Sequence, residues 1–133
     1  MKDPEWIDEH VALAIHDRML ALHGGARGLR DLALLQSALA RPKQLFAYAP
    51  SSGIVDLAAT YISGIVRNHP FVDGNKRTGF VVGVLFLETN GFLFTASEED
   101  ATRAVLDLAA GVIDEKRVGA WLRGQVKPSR RRK

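Results

Sequence analysis

The chain has 133 residues, 47% of them apolar, which suits one globular domain around a single hydrophobic core. It contains no cysteine, so disulfide frameworks, thiolate zinc sites and thiol redox chemistry are excluded. It has no apolar run of about eighteen residues, and the start MKDPEWIDEH lacks the layout of a secretory signal. We therefore expect a cytoplasmic protein without membrane contact.

The formal net charge of +3 is concentrated at the C-terminal end of the chain. Residues 127–133 carry five basic groups, which leaves 13 basic against 15 acidic groups in residues 1–126. This balance does not indicate a nucleic-acid surface on the folded part. We expect a helical domain over residues 1–126, with no nucleic acid bound by it, and a basic, disordered tail over residues 127–133.

The first two helices are marked by capping residues. Asp3 before Pro4 predicts an N-cap and a first helical position, and Gly24 with Gly25 ends that helix. Asp31 predicts the cap of a short second helix that ends at Pro42, so the following PKQLFAYAPSSG reads as a loop.

Two longer apolar patterns follow. Helical spacing from Gly53 to about Asn68 predicts a third helix with one apolar face. The next segment, GFVVGVLFLETNG, is apolar nearly all round, which predicts a central buried helix, although its valines leave a strand as the rival interpretation. Gly79 and Gly83 within it indicate a closely packed neighbour, because each glycine costs roughly 1 kcal/mol in a helix interior.

The last part of the chain predicts short elements. FLFT after Gly91 suggests an extended piece, Ser97 with Asp100 resembles a capping box, and Asp114 can cap a final helix. For the apolar segment GFVVGVLFLETNG before it, a strand would have no partners elsewhere in the chain, which favours the helix. The prediction is an all-α fold, a single compact domain of about six helices around a buried central helix.

The segment HPFVDGNKRTG, residues 69–79, joins the third helix to the central one. Lys76 and Arg77 fall in the first turn of a helix, where the dipole disfavours each cation by roughly 0.3–1 kcal/mol. A bound anion reverses this effect, because it meets both cations and the unpaired N–H groups of the turn. Phosphate is the ligand that this pattern favours.

Four further residues of the segment have chemical interpretations. Gly74 lets the backbone approach the anion, and Asn75 either caps the helix or donates its amide to the phosphate. The carboxylate of Asp73 would repel a phosphate unless a divalent cation lay between them, so we interpret Asp73 as a Mg²⁺ ligand. His69 is the candidate general base, since imidazole exchanges protons near neutral pH.

Other residues have structural interpretations. Phe71 and Val72 are predicted to anchor the loop in the core, and His10, His16 and His23 to be surface or loop histidines. A capped turn with solvated charges is the alternative for the whole segment, and clustering of so many functional groups in nine residues weakens it.

HPFVDGNKRTG resembles the signature of the Fic/Doc family, HPFxx[GA]N followed by Gly or Lys and then Arg. Most Fic nucleotidyl transferases have glycine where this chain has Lys76, and a second arginine where it has Phe80. The chain therefore resembles the Doc (death-on-curing) type. HGGARGLRD, LLQSALARP and the later NG are similar too, so the resemblance extends to about Gln125.

The resemblance implies an all-helical toxin of a type II toxin–antitoxin pair, with a Phd-like antitoxin as its partner. It implies that the toxin uses ATP with Mg²⁺ to phosphorylate a threonine of elongation factor Tu, arresting translation. By the same resemblance His69 accepts the target's proton, Asp73 binds the metal, and Asn75, Lys76 and Arg77 hold phosphates. Lys76 and the missing second arginine suit a reversed nucleotide that presents its terminal phosphate.

Two alternatives stay open at this point. One is the transfer of AMP, as in most Fic proteins. The other is a non-catalytic module whose Arg-rich tail contacts RNA or DNA by counterion release.

Overall fold

The computed structural model describes residues 3–129. This part of the chain forms six helices and two short strands, which confirms the all-α fold class. In chain order the elements are α1 (Glu9–His23), α2 (Leu32–Tyr48), α3 (Ile54–Asn68), α4 (Asn75–Thr89), β1 (Phe92–Phe94), α5 (Glu98–Ala109), α6 (Glu115–Arg123) and β2 (Val126–Pro128).

Helix α3 lies at the centre of the domain. It is buried at ten consecutive positions, Leu57 to Val66, and packs against α2, α4 and α6. Small residues on its different faces let these neighbours approach, as where Gly64 faces Ala38 of α2. The buried central helix is thus confirmed, but its assignment to the apolar segment of α4 is wrong. In α4 the buried positions alternate with half-buried ones such as Val81, Val84 and Leu85, so this helix has one face outside the core.

Helices α3 and α4 pack closely through the two glycines of α4, as the sequence predicts. A Cβ atom at Gly79 would lie 3.1 Å from Val66 Cγ2, and one at Gly83 would overlap the side chain of Ile62. This contact sets the distance between α3, which ends just before the HPFVDGNKRTG segment, and α4, which begins within that segment.

Gly83→Ala is expected to lower the free energy of unfolding by about 1–3 kcal/mol, because Ile62 is buried and cannot yield without shifting its neighbours. The matched control is Gly119→Ala in α6, where a new Cβ would only make ordinary contacts at 3.6 Å. There, the better helix propensity of alanine should stabilise the protein by up to about 1 kcal/mol. Urea unfolding of both variants checks the pair, and equal effects would contradict the close packing.

The start of α1 differs from the prediction. The helix begins at Glu9 with Asp8 as its N-cap, whose carboxylate accepts from the Val11 N–H at 3.0 Å, so the cap at Asp3 with Pro4 is wrong. The preceding residues are held elsewhere: Ile7 N–H donates to the buried Tyr61 hydroxyl at 2.9 Å. Burial raises the pKa of Tyr61 to about 12, so this anchor keeps its proton at neutral pH.

Helix α2 does not end at Pro42, which is the second correction. The helix continues to Tyr48, and Pro42 is buried within it. A proline inside a helix removes one backbone hydrogen bond and costs roughly 3 kcal/mol. Here the extra turns pack Leu45 and Phe46 against the core, and Phe46 meets the Trp6 ring edge-on at 5.8 Å. The burial of these side chains offsets the cost of the proline.

The predicted extended piece after Gly91 is β1, and it has a partner that the sequence did not reveal. Strand β2 pairs with it antiparallel, with Leu93 opposite Lys127, and the Ser129 N–H donates to the Gly91 carbonyl at 2.9 Å. The expectation of a disordered tail from residue 127 is therefore wrong for residues 127–129. Residues 130–133 of that tail lie outside the described residues.

The two C-terminal helices begin where their caps predict. The Ser97 hydroxyl accepts from the Asp100 N–H at 3.1 Å at the start of α5, and the Asp114 carboxylate accepts from the Arg117 N–H at 2.9 Å at the start of α6. No helix among residues 3–129 is long and apolar enough to cross a membrane.

Candidate active site

The loop between α3 and α4 begins with a residue in an unusual backbone conformation. His69 caps the C-terminus of α3 with φ 53° and ψ 54°, and it is the only non-glycine residue among positions 3–129 with a positive φ. A left-handed conformation costs an L-residue about 1–2 kcal/mol. It turns the chain out of α3, so His69 is exposed while Pro70 and Phe71 after it are buried.

The segment that follows α1 binds this loop along its backbone. The Arg30 N–H and the Asp31 N–H both donate to the Pro70 carbonyl, at 2.7 and 2.9 Å, and the Val72 N–H donates to the Gly28 carbonyl at 3.0 Å. Two segments forty residues apart in sequence are therefore joined as a short two-stranded contact. This contact fixes the path of the HPFVDGNKRTG loop.

Phe71 is fully buried, which confirms its predicted role as an anchor, whereas Val72 is 48% exposed and does not anchor the loop. The alternation has a simple cause. Because residues 71 and 72 pair in an extended conformation with the segment after α1, their side chains point to opposite sides. Only one of the two can face the core.

His16 is a site residue that sequence reasoning assigned to the surface. It is 4% exposed, its ring stacks on Phe71 with centroids 3.8 Å apart, and its Nε2 lies 2.8 Å from the Asp73 carbonyl oxygen. Since a carbonyl only accepts, the ring nitrogen donates. The helical spacing of His16 with Ala12 on the buried face of α1 is the one sequence signal that could have identified it.

His16→Phe tests this support for the loop, because phenylalanine keeps a ring against Phe71 but cannot donate to the Asp73 carbonyl. We expect the free energy of unfolding to fall by about 0.5–1.5 kcal/mol, the net contribution of one hydrogen bond that is only partly buried. His10→Phe is the control on the same helix, where the histidine is exposed, and should change stability by less than about 0.5 kcal/mol. Equal stabilities of the two variants in urea would show that His16 does not support the loop.

Asn75 does not cap α4, so the first of its two interpretations is wrong. The N-cap is Gly74, and the Asn75 side chain is buried, accepting from the Phe71 N–H and donating to the Phe71 carbonyl, both at 2.9 Å. The amide hydrogen that donates to Phe71 is not available to a phosphate. Asn75 instead closes the loop on itself, and its backbone N–H is the group that faces the start of the helix.

Asp73 holds two backbone groups with its carboxylate. One oxygen accepts from the Ala26 N–H at 3.0 Å and the other from the Gly74 N–H at 2.9 Å. These bonds, first that from Ala26 and then that from Gly74, lower the pKa of Asp73, and the nearby Arg77 and Lys76 contribute less. The carboxylate is therefore anionic at neutral pH. Its contacts are lost only as the pH falls through this lowered pKa.

The donors near Asp73 have the chemistry of a shared magnesium site, not of a protein cage. Among residues 3–129 no group of three or more His, Asp or Glu side chains could hold a metal ion. Magnesium commonly takes one or two carboxylates and completes its shell with phosphate oxygens and water. A single exposed carboxylate beside the unpaired N–H groups and cations at the start of α4 fits that mode.

The start of α4 presents unpaired donors and two cations. Gly74 adopts φ 80°, which only glycine does readily, and the first backbone bond of α4 runs from Thr78 N–H to the Gly74 carbonyl at 3.0 Å. The N–H groups of Asn75, Lys76 and Arg77 consequently have no helical acceptor. Lys76 and Arg77 are both exposed in this first turn. The structure thus brings together the charges and donors that the sequence predicted for an anion.

Comparison with known proteins places this geometry in a family. The family model described as the Fic/DOC family matches residues 6–87, which span α1 to α4 and the whole loop. The chain belongs to the Fic/DOC family. The resemblance seen in HPFVDGNKRTG is thereby confirmed.

Curated Fic/DOC relatives are of the Doc type. The chain is 32% identical over 117 residues to "Protein kinase doc" of Escherichia phage P1, covering 88% of this chain and 92% of that protein. It is 38% identical over 82 residues to "Toxin Doc" of Mycolicibacterium smegmatis, covering 61% of this chain and 62% of that protein.

A solved Fic structure is also similar. The N-terminal Fic domain of a putative cell filamentation protein from Bartonella quintana, solved with bound ADP, aligns with a TM-score of 0.49 at 16% identity. The alignment covers 72% of this chain and 49% of that one.

Proposed function

We propose that this Fic/DOC protein is the toxin of a toxin–antitoxin pair and transfers the terminal phosphate of ATP to a protein hydroxyl. One observation carries the proposal: exposed Lys76 and Arg77, with unpaired N–H groups, lie in the first turn of α4, which begins at Asn75, six residues after an exposed His69 whose imidazole has no hydrogen-bond partner within residues 3–129. The chain aligns with 92% of the length of a protein that is named as a kinase, and this relationship supports the proposal.

His69 acts as the general base in this proposal. Its imidazole takes the proton of the target hydroxyl as the hydroxyl oxygen forms a bond to the γ-phosphorus of ATP. The bond between the γ-phosphorus and its bridging oxygen breaks, and ADP leaves with that oxygen. Phosphoryl transfer asks the protein mainly for positioning and neutralisation of charge, and both are available at this loop.

The start of α4 holds the phosphates of ATP. Lys76 and Arg77 supply cationic donors, and Asn75 contributes its backbone N–H instead of its engaged side chain. Gly74 acts through its positive φ, because its own N–H already donates to Asp73. Asp73 would hold Mg²⁺, which neutralises charge on the phosphate oxygens when bound.

We further propose that the target is a threonine of elongation factor Tu, that its phosphorylation arrests translation in the cytoplasm, and that a Phd-like antitoxin neutralises the protein. The Doc type of the relatives and Lys76 in the loop support this finer assignment. The folded domain binds no nucleic acid in this proposal, since residues 1–126 carry an excess of acidic groups.

Two labelled forms of ATP test the reaction. The purified protein, Mg²⁺ and elongation factor Tu are incubated with ATP labelled at the γ-phosphate or, separately, at the α-phosphate. We expect label on the target from the γ-position alone, at a threonine. Label from the α-position alone would overturn the kinase assignment and establish AMP transfer. A second incubation uses a bacterial lysate in place of the purified factor. Label on other proteins of the lysate, with neither label on elongation factor Tu, would overturn the assignment of the target.

A further inference from the structure

One exposed side chain outside the HPFVDGNKRTG loop holds the end of α3 in place. Arg30 donates to three successive carbonyl oxygens: its Nη2 to Asn68 at 3.0 Å, its Nε to His69 at 2.7 Å, and its backbone N–H to Pro70 at 2.7 Å. We propose that Arg30 is a positioning residue for His69, an inference that rests on the proposed function of His69 as the base.

The carbonyls that Arg30 contacts are those that a helix end leaves without partners. The last carbonyls of a helix have no intrahelical donor, and the helix dipole makes this end negative, so a guanidinium is favoured there. A planar guanidinium offers parallel N–H groups that reach two adjacent oxygens at once. The side chain of Arg30 therefore binds the backbone on both sides of the turn at His69.

The orientation of His69 depends on that backbone. Its conformation is left-handed, and such a strained residue persists only where the surroundings determine it. Its imidazole has no hydrogen-bond partner within residues 3–129, so what the protein fixes here is the backbone, which sets the direction of the His69 Cα–Cβ bond. A guanidinium that fixes the carbonyls of residues 68 and 69 consequently fixes the direction in which the ring leaves the chain.

The alternative role for Arg30 is a direct contact with a phosphate of ATP. The geometry favours the positioning role, because Nε and Nη2 already donate to protein oxygens. The two roles make different kinetic predictions. A phosphate contact contributes to the affinity for ATP, whereas a positioning contact contributes to the rate at saturating ATP.

Arg30→Met removes the guanidinium and keeps an unbranched side chain. We expect kcat for phosphorylation of elongation factor Tu to fall about tenfold to a hundredfold, with the Kd for ATP changed by less than about twofold. Arg30→Lys should recover part of kcat, because an ammonium can still reach one carbonyl. Arg67→Met is the matched control, since Arg67 is an exposed cation in the last turn of the same helix, and it should leave kcat unchanged.

A second readout does not depend on activity. The chain has four histidines, and the Cε1–H NMR signal of His69 is identified by its loss in His69→Ala. We expect this signal to shift or broaden in Arg30→Met and to stay as in the wild type in Arg67→Met. The midpoint of thermal unfolding should change by less than about 2 °C in Arg67→Met and fall by roughly 2–8 °C in Arg30→Met, which loses two hydrogen bonds from the guanidinium.

Two results would overturn the positioning role: an unchanged His69 signal in Arg30→Met, or a fall in ATP affinity as large as the fall in kcat. A wild-type protein that transfers no label from ATP would instead contradict the proposed function. In that case the NMR comparison still decides whether Arg30 fixes His69.

Discussion

His69→Ala is expected to lower the rate of phosphate transfer to elongation factor Tu by about 10²–10⁴-fold, the contribution of a positioned general base. The exposed imidazole makes no hydrogen bond, ion pair or ring contact within residues 3–129, so its removal should leave the fold intact. ATP binding should also persist, because the proposed contacts of its phosphates are with α4. The rate is measured with γ-labelled ATP, and growth arrest on expression without an antitoxin is the cellular counterpart.

His10→Ala is the control for this experiment, since His10 is exposed on α1 and belongs to no described contact of the loop. It should retain both transfer and growth arrest. Circular dichroism of His69→Ala should match the wild type. If a folded His69→Ala protein still arrests growth and transfers label at the wild-type rate, His69 is not the base.

Asp73→Asn is expected to lower the affinity for ATP in the presence of Mg²⁺ by at least about tenfold, because the charge of the ligands sets the affinity of an oxygen site for a divalent cation. In the absence of Mg²⁺ the variant should bind ATP at least as well as the wild type, since a negative charge near the phosphates is gone. Calorimetric titrations with ATP, with and without Mg²⁺, measure both values.

Asp73→Asn also changes the hydrogen bonds of the loop, so its effect differs from that of a lost charge alone. The Ala26 N–H and the Gly74 N–H bond to different oxygens of Asp73, and asparagine replaces one of these oxygens with an NH₂ donor, so one of the two N–H groups loses its acceptor. Asp17→Asn, at an exposed carboxylate of α1, controls for the change in net charge and should leave binding unaltered. A Mg²⁺ dependence identical in Asp73→Asn and wild type would remove Asp73 from the metal site.

The sequence predicted elements well where local signals determine them. Asp31, Ser97 and Asp114 cap the helices that they were expected to cap, because an N-cap needs only a side-chain oxygen and an N–H group three residues later. Gly79 and Gly83 likewise predicted the close contact between α4 and a neighbouring helix, which is α3. These features depend on a few neighbouring residues, which a sequence displays directly.

The errors occur where tertiary contacts outweigh local preference. Pro42 reads as a helix end, yet the packing of Leu45 and Phe46 continues α2 beyond it. Asp3 reads as a cap, but the residues before Asp8 are not helical. Their backbone N–H groups, at Glu5 and Ile7, donate to the side chains of Asn90 and Tyr61. Strand β2 was missed because three residues give almost no periodic signal and their partner lies thirty residues earlier.

At the site, residue types were predicted better than residue contacts. HPFVDGNKRTG contains the exposed imidazole, the carboxylate and the cations, so charge and chemistry sufficed to single them out as candidates. The supports of the loop come from elsewhere: His16 from α1 and Arg30 from the segment before α2. No local pattern links them to the loop. Asn75 was assigned to the ligand because a sequence does not show which of two partners a buried amide takes.

The ribbon of β1 and β2 lies at the end of α4 opposite the loop, about 20 Å away along a fifteen-residue helix. Lys127 is exposed on this ribbon, and the chain has no cysteine. A cysteine introduced at Lys127 would therefore be the sole thiol in the protein, remote from the residues assigned to ATP. It offers a position for a fluorophore or a surface tether that leaves the loop open to nucleotide and protein ligands.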